Sequence, residues 1–324
     1  MVYDSCMRCI MSPNESVEIS VVSPVYRAEK LVEPLVARLR KVLDSLGRSY
    51  EIILVEDGST DTSWEAVARE CSTQSHVIGL RLSRNFGQHY AISAGLNRSR
   101  GRWVVVMDCD LQDQPEEIPS LLSRALEGYD IVLARRSVRQ DGLLKKASSR
   151  IFYFVLSYLT GAKLDATVAN FGIYSRNVIA AINMMPESIR YFPTMVRWVG
   201  FRSTAIDVVH AARPEGPSSY NWSKLINLAC DIALAYSDKP LKLVVKTGGV
   251  ISATGFCFAG YTLIQALRGQ ITVLGYASLI VSVWVLAGLI ILINGVVGLY
   301  VGKIFEGVKR RPPFIVSETL PHDS

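Results

Sequence analysis

With 324 residues, the chain can hold one large domain or two modest ones. An apolar fraction of 49% and a mean hydropathy of +0.24 are high for a wholly soluble protein. The net charge of +6 comes without a basic stripe interleaved with aromatics, which speaks against nucleic acid as a partner.

Residues 1–17 read as a loose leader, with no secretory signal ahead of the first strand. Cys6 and Cys9 have C-x-x-C spacing, but no second pair completes a zinc site. The spacing of apolar residues then predicts strands and helices in alternation. Strands are expected at Glu18–Val22, Tyr50–Val55, His76–Leu82, Trp103–Met107 and Asp130–Ala134. Helices are expected at Glu29–Leu46, Ser63–Cys71, Gln88–Arg98 and Pro115–Glu127. That order implies a mostly parallel α/β sheet with helices on both faces.

Beyond Arg135 the pattern changes. Leu143–Leu159 reads as a helix, basic early (Lys145, Lys146, Arg150) and aromatic later. It suits a membrane surface, and equally a buried helix of the same domain. Trp222–Ala235 reads as a second such helix, and Asp238-Lys239-Pro240 marks its exit. Trp198 and Trp222 suit a membrane interface, with core packing the alternative for Trp198. His89 and His210 are lone histidines without metal-ligand spacing and read as structural or solvent-facing.

No charge interrupts Thr247–Leu267 or Gly269–Gly302. Each run exceeds the ~20 residues that cross a bilayer core as a helix. With Arg268-Gly269-Gln270 as hinge, they read as a two-helix transmembrane hairpin. Lys239, Lys242 and Lys246 precede the first run, and Lys303, Lys309, Arg310 and Arg311 follow the second. The positive-inside rule then places both flanks, and the large domain before them, in the cytoplasm. The same basic flanks favour anionic lipid headgroups. The expected organisation is a leader (1–17), a catalytic domain (18–220), a juxtamembrane helix and linker (221–246), two spans (247–302) and a basic tail (303–324).

The sharpest chemical signal follows the fourth strand, at Met107-Asp108-Cys109-Asp110-Leu111-Gln112-Asp113. Residues two apart on a strand share a face, so Asp108 and Asp110 can converge at the carboxyl end of a buried strand. Open α/β sheets bind ligands there. Hard carboxylate oxygens and the Gln112 amide suit Mg²⁺ or Mn²⁺ holding a diphosphate. Acidic pairs also occur in ordinary loops, so the pattern is weighed with the rest of the chain.

Val22-Ser23-Pro24-Val25-Tyr26, Val55-Glu56-Asp57-Gly58-Ser59, Ser83-Arg84-Asn85-Phe86-Gly87-Gln88, the Asp108 segment, Arg213-Pro214-Glu215-Gly216-Pro217-Ser218-Ser219-Tyr220 and the apolar hairpin occur in that order. The ordered set resembles family 2 glycosyltransferases of the GT-A fold. More narrowly, it is similar to the polyprenyl-phosphate sugar transferases, which include dolichol-phosphate mannosyltransferase and the undecaprenyl-phosphate glucosyl- and aminoarabinose transferases. The resemblance spans residues from about 18 to 312.

The resemblance implies a membrane-anchored, metal-dependent, inverting transferase. It would move a sugar from a UDP- or GDP-linked donor to a polyprenyl phosphate, at the bacterial inner membrane, with a homo-oligomer compatible. It assigns Pro24, Tyr26, Asp57, Asp108, Asp110 and Arg213 to the nucleotide sugar, Asp110 and Gln112 to the metal, and Arg135 with Lys146 and Ser149 to the acceptor phosphate. Asp108, Asp110, Arg135 and Arg213 would carry the catalysis. The family's Asn-Glu after the first-strand tyrosine is Arg27-Ala28 here, with Glu29 one place later as the candidate substitute at the donor site. Ser219 replaces a lysine common among relatives. Met195-Val196-Arg197-Trp198 is superficially similar to an element of processive synthases, but Thr194 stands at its glutamine position. Two other readings stay open: a transferase acting on a hydroxyl of a growing glycan or lipid, with Asp113 as base, and a non-catalytic membrane scaffold.

Overall fold

The computed structural model of the chain describes residues 17–136, 168–185, 190–208, 239–268, 275–309 and 311–321. The predicted helices Leu143–Leu159 and Trp222–Ala235 lie outside them. The described residues fall into two compact units, an α/β unit and a unit of two C-terminal helices.

Alternation of apolar side chains builds the α/β unit. The strands are β1 (Ile19–Val25), β2 (Tyr50–Glu56), β3 (Val77–Leu82), β4 (Trp103–Val106), β5 (Ile131–Arg136), β6 (Val168–Ser175), β7 (Ser203–Val208) and β8 (Val316–Leu320). Its helices are α1 (Val32–Ser45), α2 (Ser63–Thr73), α3 (Gln88–Arg98), α4 (Ile118–Leu126), α5 (Arg176–Asn183) and α6 (Phe192–Trp198). Val21, Ile52, Leu54 and Val105 point to one face of the sheet, where they pack with α1, α2 and α4. Val22, Ile53, Val55, Val104 and Val106 point to the other, against α3, α5 and α6. Central strands buried on both faces need the near-continuous apolar runs that the sequence supplies.

The sheet has eight strands in the order β7-β5-β6-β4-β1-β2-β3-β8. β1 pairs in parallel with β2 and β4, β2 with β3, and β5 with β7. β6 is antiparallel to both of its neighbours, and β8 is antiparallel to β3. The carboxyl ends of β1, β2, β3, β4, β5 and β7 therefore share one edge of the sheet. The expected α/β class is present; the sheet is mixed, with four parallel and three antiparallel strand pairs.

Two boundaries move for physical reasons. Arg27 adopts a left-handed backbone (φ 50°), and a tight turn from Ala28 O to Leu31 N at 2.9 Å follows. The chain is thus still turning at Glu29, and α1 begins only at Val32. The stretch expected as a basic tail supplies the last turns of a long helix and then β8, an edge strand of the sheet.

The second unit contains α7 (Lys239–Leu267) and α8 (Tyr276–Val308). The two helices approach closely enough that a Cβ at Gly248 would lie 3.8 Å from Ile293 Cδ1. Among the described residues, no helix is long and apolar enough to cross a membrane. Several side chains within α7 and α8 lie outside the description. The uncharged run is therefore legible in the sequence, not in the described residues.

Candidate active site

The shared carboxyl edge of the sheet gathers most of the described site residues. Asp57 follows β2 directly. Its carboxylate accepts the Phe86 N–H at 2.8 Å and the Gly87 N–H at 2.9 Å, from the loop after β3. Asn85 Nδ2 returns a bond to the Asp57 carbonyl at 3.0 Å. Burial pushes the Asp57 carboxyl above the usual range, while the two backbone N–H bonds pull the other way. Each carboxylate oxygen has two acceptor sites, so the two backbone bonds leave capacity for a ligand N–H.

Gly58 makes this contact between loops feasible. Its φ is +62°, and a Cβ there would lie 2.3 Å from the Asn85 nitrogen and 2.4 Å from the Arg84 carbonyl carbon. Only glycine satisfies both the backbone angle and the approach. Glu56, buried at the end of β2, accepts the Ser59 N–H and tightens the same turn.

The end of β1 closes onto this turn. Pro24 is paired with Val55, and Tyr26 emerges half-exposed beside it with the Arg27 guanidinium 5.4 Å from its ring centroid. The Arg27 N–H bonds Ser59 Oγ at 3.1 Å, and the Ala28 N–H bonds Ser63 Oγ at 2.9 Å. Ala28 is buried. Ala28 thus puts a small apolar side chain where the resemblance leads one to expect a glutamate. Glu29 accepts a hydrogen bond from the Thr62 hydroxyl at the start of α2.

Past β4, Asp108 Oδ1 accepts from Gln88 Nε2 at 2.6 Å. Asp110 Oδ1 accepts the Gln112 N–H at 3.1 Å, and Leu111 between them takes a left-handed φ of 60°. The strand itself ends at Val106, so the two aspartates belong to the loop beyond it. They still alternate with a buried partner: Asp108 and Asp110 are partly exposed, while Cys109 sits in the core. Burial, with Asp108 beside it, pushes the Cys109 thiol up to about 12, so it stays neutral and unreactive.

Among the described residues, no group of three or more His, Cys, Asp or Glu side chains could hold a metal on its own. Asp110 and Gln112 carry hard oxygen donors, and both are partly exposed. That donor set fits Mg²⁺ or Mn²⁺, which bind through few protein ligands plus phosphates. Asp113 is buried, and its Oδ2 lies 3.5 Å from the Asp108 nitrogen.

Arg135 lies at the carboxyl end of β5, in register with Asp207 on β7. The two side chains approach to 3.9 Å and both remain well exposed. β5 is two strands from β4. At ~4.8 Å per strand, that sets its backbone roughly 10 Å from β4, while the Arg135 guanidinium faces Asp207 on β7, the strand farther from β4. Arg213, Lys146 and Ser149 lie outside the described residues.

Two features escaped the sequence reading. Gln88 opens α3 and orients Asp108; its motif was visible, but its partner lies 20 residues on. Glu56 was visible only as the residue before Asp57. Trp198 is 72% exposed, which excludes core packing for it. His89 is structural, as expected. Its ring meets Tyr191 edge-on at 4.7 Å, and burial lowers its pKa to about 4.

The glycosyl transferase family 2 model matches residues 20–182. An uncharacterized glycosyltransferase of Synechocystis sp. is 36% identical over 304 residues, covering 94% of this chain and 96% of the relative. The undecaprenyl-phosphate 4-deoxy-4-formamido-L-arabinose transferase of Photorhabdus laumondii is 34% identical over 315 residues, 96% of each chain. Among solved structures, glucosyl-3-phosphoglycerate synthase from Mycobacterium tuberculosis, in complex with Mn²⁺, UDP-glucose and phosphoglyceric acid, has a TM-score of 0.49. It is 16% identical, over 69% of this chain and 84% of that one. The chain is a member of glycosyl transferase family 2 and, with it, a transferase enzyme.

Proposed function

We propose that this transferase moves a sugar from a UDP- or GDP-linked donor to the phosphate of a polyprenyl lipid. One observation carries the reading. The Asp57 turn, Asp108 with Gln88, and Asp110 with Gln112 share an edge with Arg135, while Asp113 is buried. A hydroxyl acceptor needs a positioned base, and a buried Asp113 is a poor one. A lipid phosphate is already ionised and needs none. The undecaprenyl-phosphate transferase of Photorhabdus laumondii, similar along 96% of this chain, supports the same acceptor class.

In the proposed mechanism the Asp57 turn holds the nucleoside. Asp108, steadied by Gln88, faces the donor. Asp110 and Gln112 would hold Mg²⁺ or Mn²⁺, which stabilises the negative charge gathering on the leaving diphosphate. Arg135 positions the acceptor phosphate bidentately, as guanidinium groups can. An acceptor oxygen bonds the anomeric carbon as the bond to the donor phosphate breaks. The nucleoside diphosphate leaves from the opposite face, which inverts the anomeric centre.

The anchor in this reading is α7 with α8, placed in the bacterial inner membrane. Its support is the uncharged sequence and the many exposed large apolar side chains of both helices, Phe258, Leu279 and Ile291 among them.

The test is the full chain in detergent with undecaprenyl phosphate and a panel of labelled nucleotide sugars. Formation of a lipid-phosphate-linked sugar is expected. Transfer to hydroxyl acceptors alone would replace this reading with the second one. Arg135→Ala sharpens the result. Losing one partner of a charge-assisted pair costs roughly 2–5 kcal/mol when desolvated, so the acceptor KM should rise steeply while nucleotide binding holds. Collapse of nucleotide binding instead would move Arg135 to the donor site.

A further inference from the structure

The C-terminal strand touches the donor loop at several points. β8 pairs with β3 from Gly79 opposite Leu320 to Leu82 opposite Val316, with an irregularity after Arg81. One residue beyond the paired stretch, the Ser83 N–H donates to the Ile315 carbonyl at 2.9 Å. Ser83 opens the loop whose Phe86 and Gly87 N–H groups bind Asp57. Phe314 packs against the same core cluster as Phe86.

A second line of contact runs through charge. Arg81 lies between Glu318 of β8, at 3.9 Å, and the buried Glu56, at 3.7 Å. Ser317 Oγ adds a bond to the Arg81 carbonyl at 3.1 Å. The Glu56 oxygen that faces Arg81 has no hydrogen bond, while its other oxygen holds the Ser59 N–H of the Asp57 turn. β8 thus touches both halves of the donor pocket, the 83–87 loop through the main chain and the Asp57 turn through Arg81 and Glu56.

We infer that β8 is a positioning element of the donor site, with Glu318 and Arg81 as its positioning residues. The inference rests on the reading above that the Asp57 turn and the 83–87 loop hold the nucleotide. The strand adds to the sheet edge by main-chain pairing with β3, a mode that separate extended peptides also use. It also follows α8 in the chain after a short link. The segment that leaves the helix unit therefore ends as part of the nucleotide-binding framework.

The test compares the full chain in detergent with a chain lacking residues 312–324, with Glu318→Gln and with Asp57→Ala. UDP and GDP binding is measured by calorimetry, and donor and acceptor KM by transfer assays. The truncated chain should bind nucleotide about 10-fold or more weakly, since small misplacements of binding groups have costs of that order. Its acceptor KM should be nearly unchanged, and a synthetic peptide of residues 312–321 should restore binding. Glu318→Gln should raise donor KM in the same direction by a smaller factor, and it decides the matter if the truncated chain fails to fold. Unchanged nucleotide affinity in a folded truncated chain would overturn the inference. So would equal losses at both substrates, or a loss that the peptide cannot restore. If Asp57→Ala itself binds nucleotide normally, the underlying donor-site reading fails instead.

Discussion

At the scale of single residues, the proposed site divides into side chains that would touch ligand and side chains that would hold those in place. Asp110 belongs to the first kind. In Asp110→Ala, turnover should fall by at least about 100-fold, because metal stabilisation of a leaving group is worth several kcal/mol. The melting temperature should barely move, since Asp110 is a partly exposed loop residue. Near-normal turnover with metal present would remove Asp110 from the metal site. His89 belongs to neither kind. Its Nδ1 is buried without a partner although the residue keeps some exposed surface. Burial lowers its pKa from 6.5 to about 4, so the fold prefers the neutral ring. That preference favours folding fully above the unfolded value and is lost as pH falls through the window between the two. His89→Phe keeps a ring against Tyr191 and should flatten the fall in stability across that window, by on the order of 2 kcal/mol. Melting curves in detergent at pH 7 and pH 4 check this; an unchanged slope would show that His89 is not the titrating group. The Asp57, Asp108 and Asp110 positions were legible because short motifs sit at strand ends. The role of Gln88 was not, because it depends on how α3 meets the loop after β4.

At the scale of elements, legibility followed burial. β1 through β5 and α1 through α4 could be read from the sequence because each repeats an apolar pattern at its own period. β6 carries Gly172 and lies between β4 and β5, out of sequence order. β8 has the sequence VSETL and sits at an edge, so pairing makes it a strand more than its composition does. The close packing of α3 on β1 was equally hidden. A Cβ at Gly95 would lie 2.3 Å from Val22 Cγ1 and 3.1 Å from Val55 Cγ2. Val22 and Val55 are fully buried central-strand residues with nowhere to move. Gly95→Ala should therefore destabilise the α/β unit by about 1–3 kcal/mol through overpacking, despite alanine's better helix propensity. A lowered melting temperature is expected. A raised one would mean that α3 can lift from the sheet without cost. Because Gln88 heads the same helix, the variant should also weaken donor binding.

At the scale of the whole molecule, the reading depends on which side of a membrane the termini occupy. The basic residues are unevenly placed about the apolar runs. Lys239, Lys242 and Lys246 lie in the first turns of α7, Lys303, Lys309, Arg310 and Arg311 follow the second apolar run in sequence, and Arg268 alone lies in the hinge. Such a bias near helix ends sets orientation. It predicts a hinge outside and both flanks in the cytoplasm, where nucleotide sugars and the basic flanks' anionic lipid partners would meet. A cysteine placed at Gly269 tests this in intact cells with a membrane-impermeant maleimide, the parent chain being labelled alongside to account for its own cysteines. Labelling from outside is expected for Gly269→Cys and not for a cysteine placed at Ser317, in β8. Labelling of Gly269→Cys only after the cytoplasmic face is opened would reject the hairpin and leave the helices as surface or core elements. The Ser317 arm carries independent weight. β8 pairs with β3 of the α/β unit, so the strand and the donor site must lie on the same side. A Ser317→Cys chain labelled from outside would place the whole transferase domain there and exclude a cytoplasmic donor.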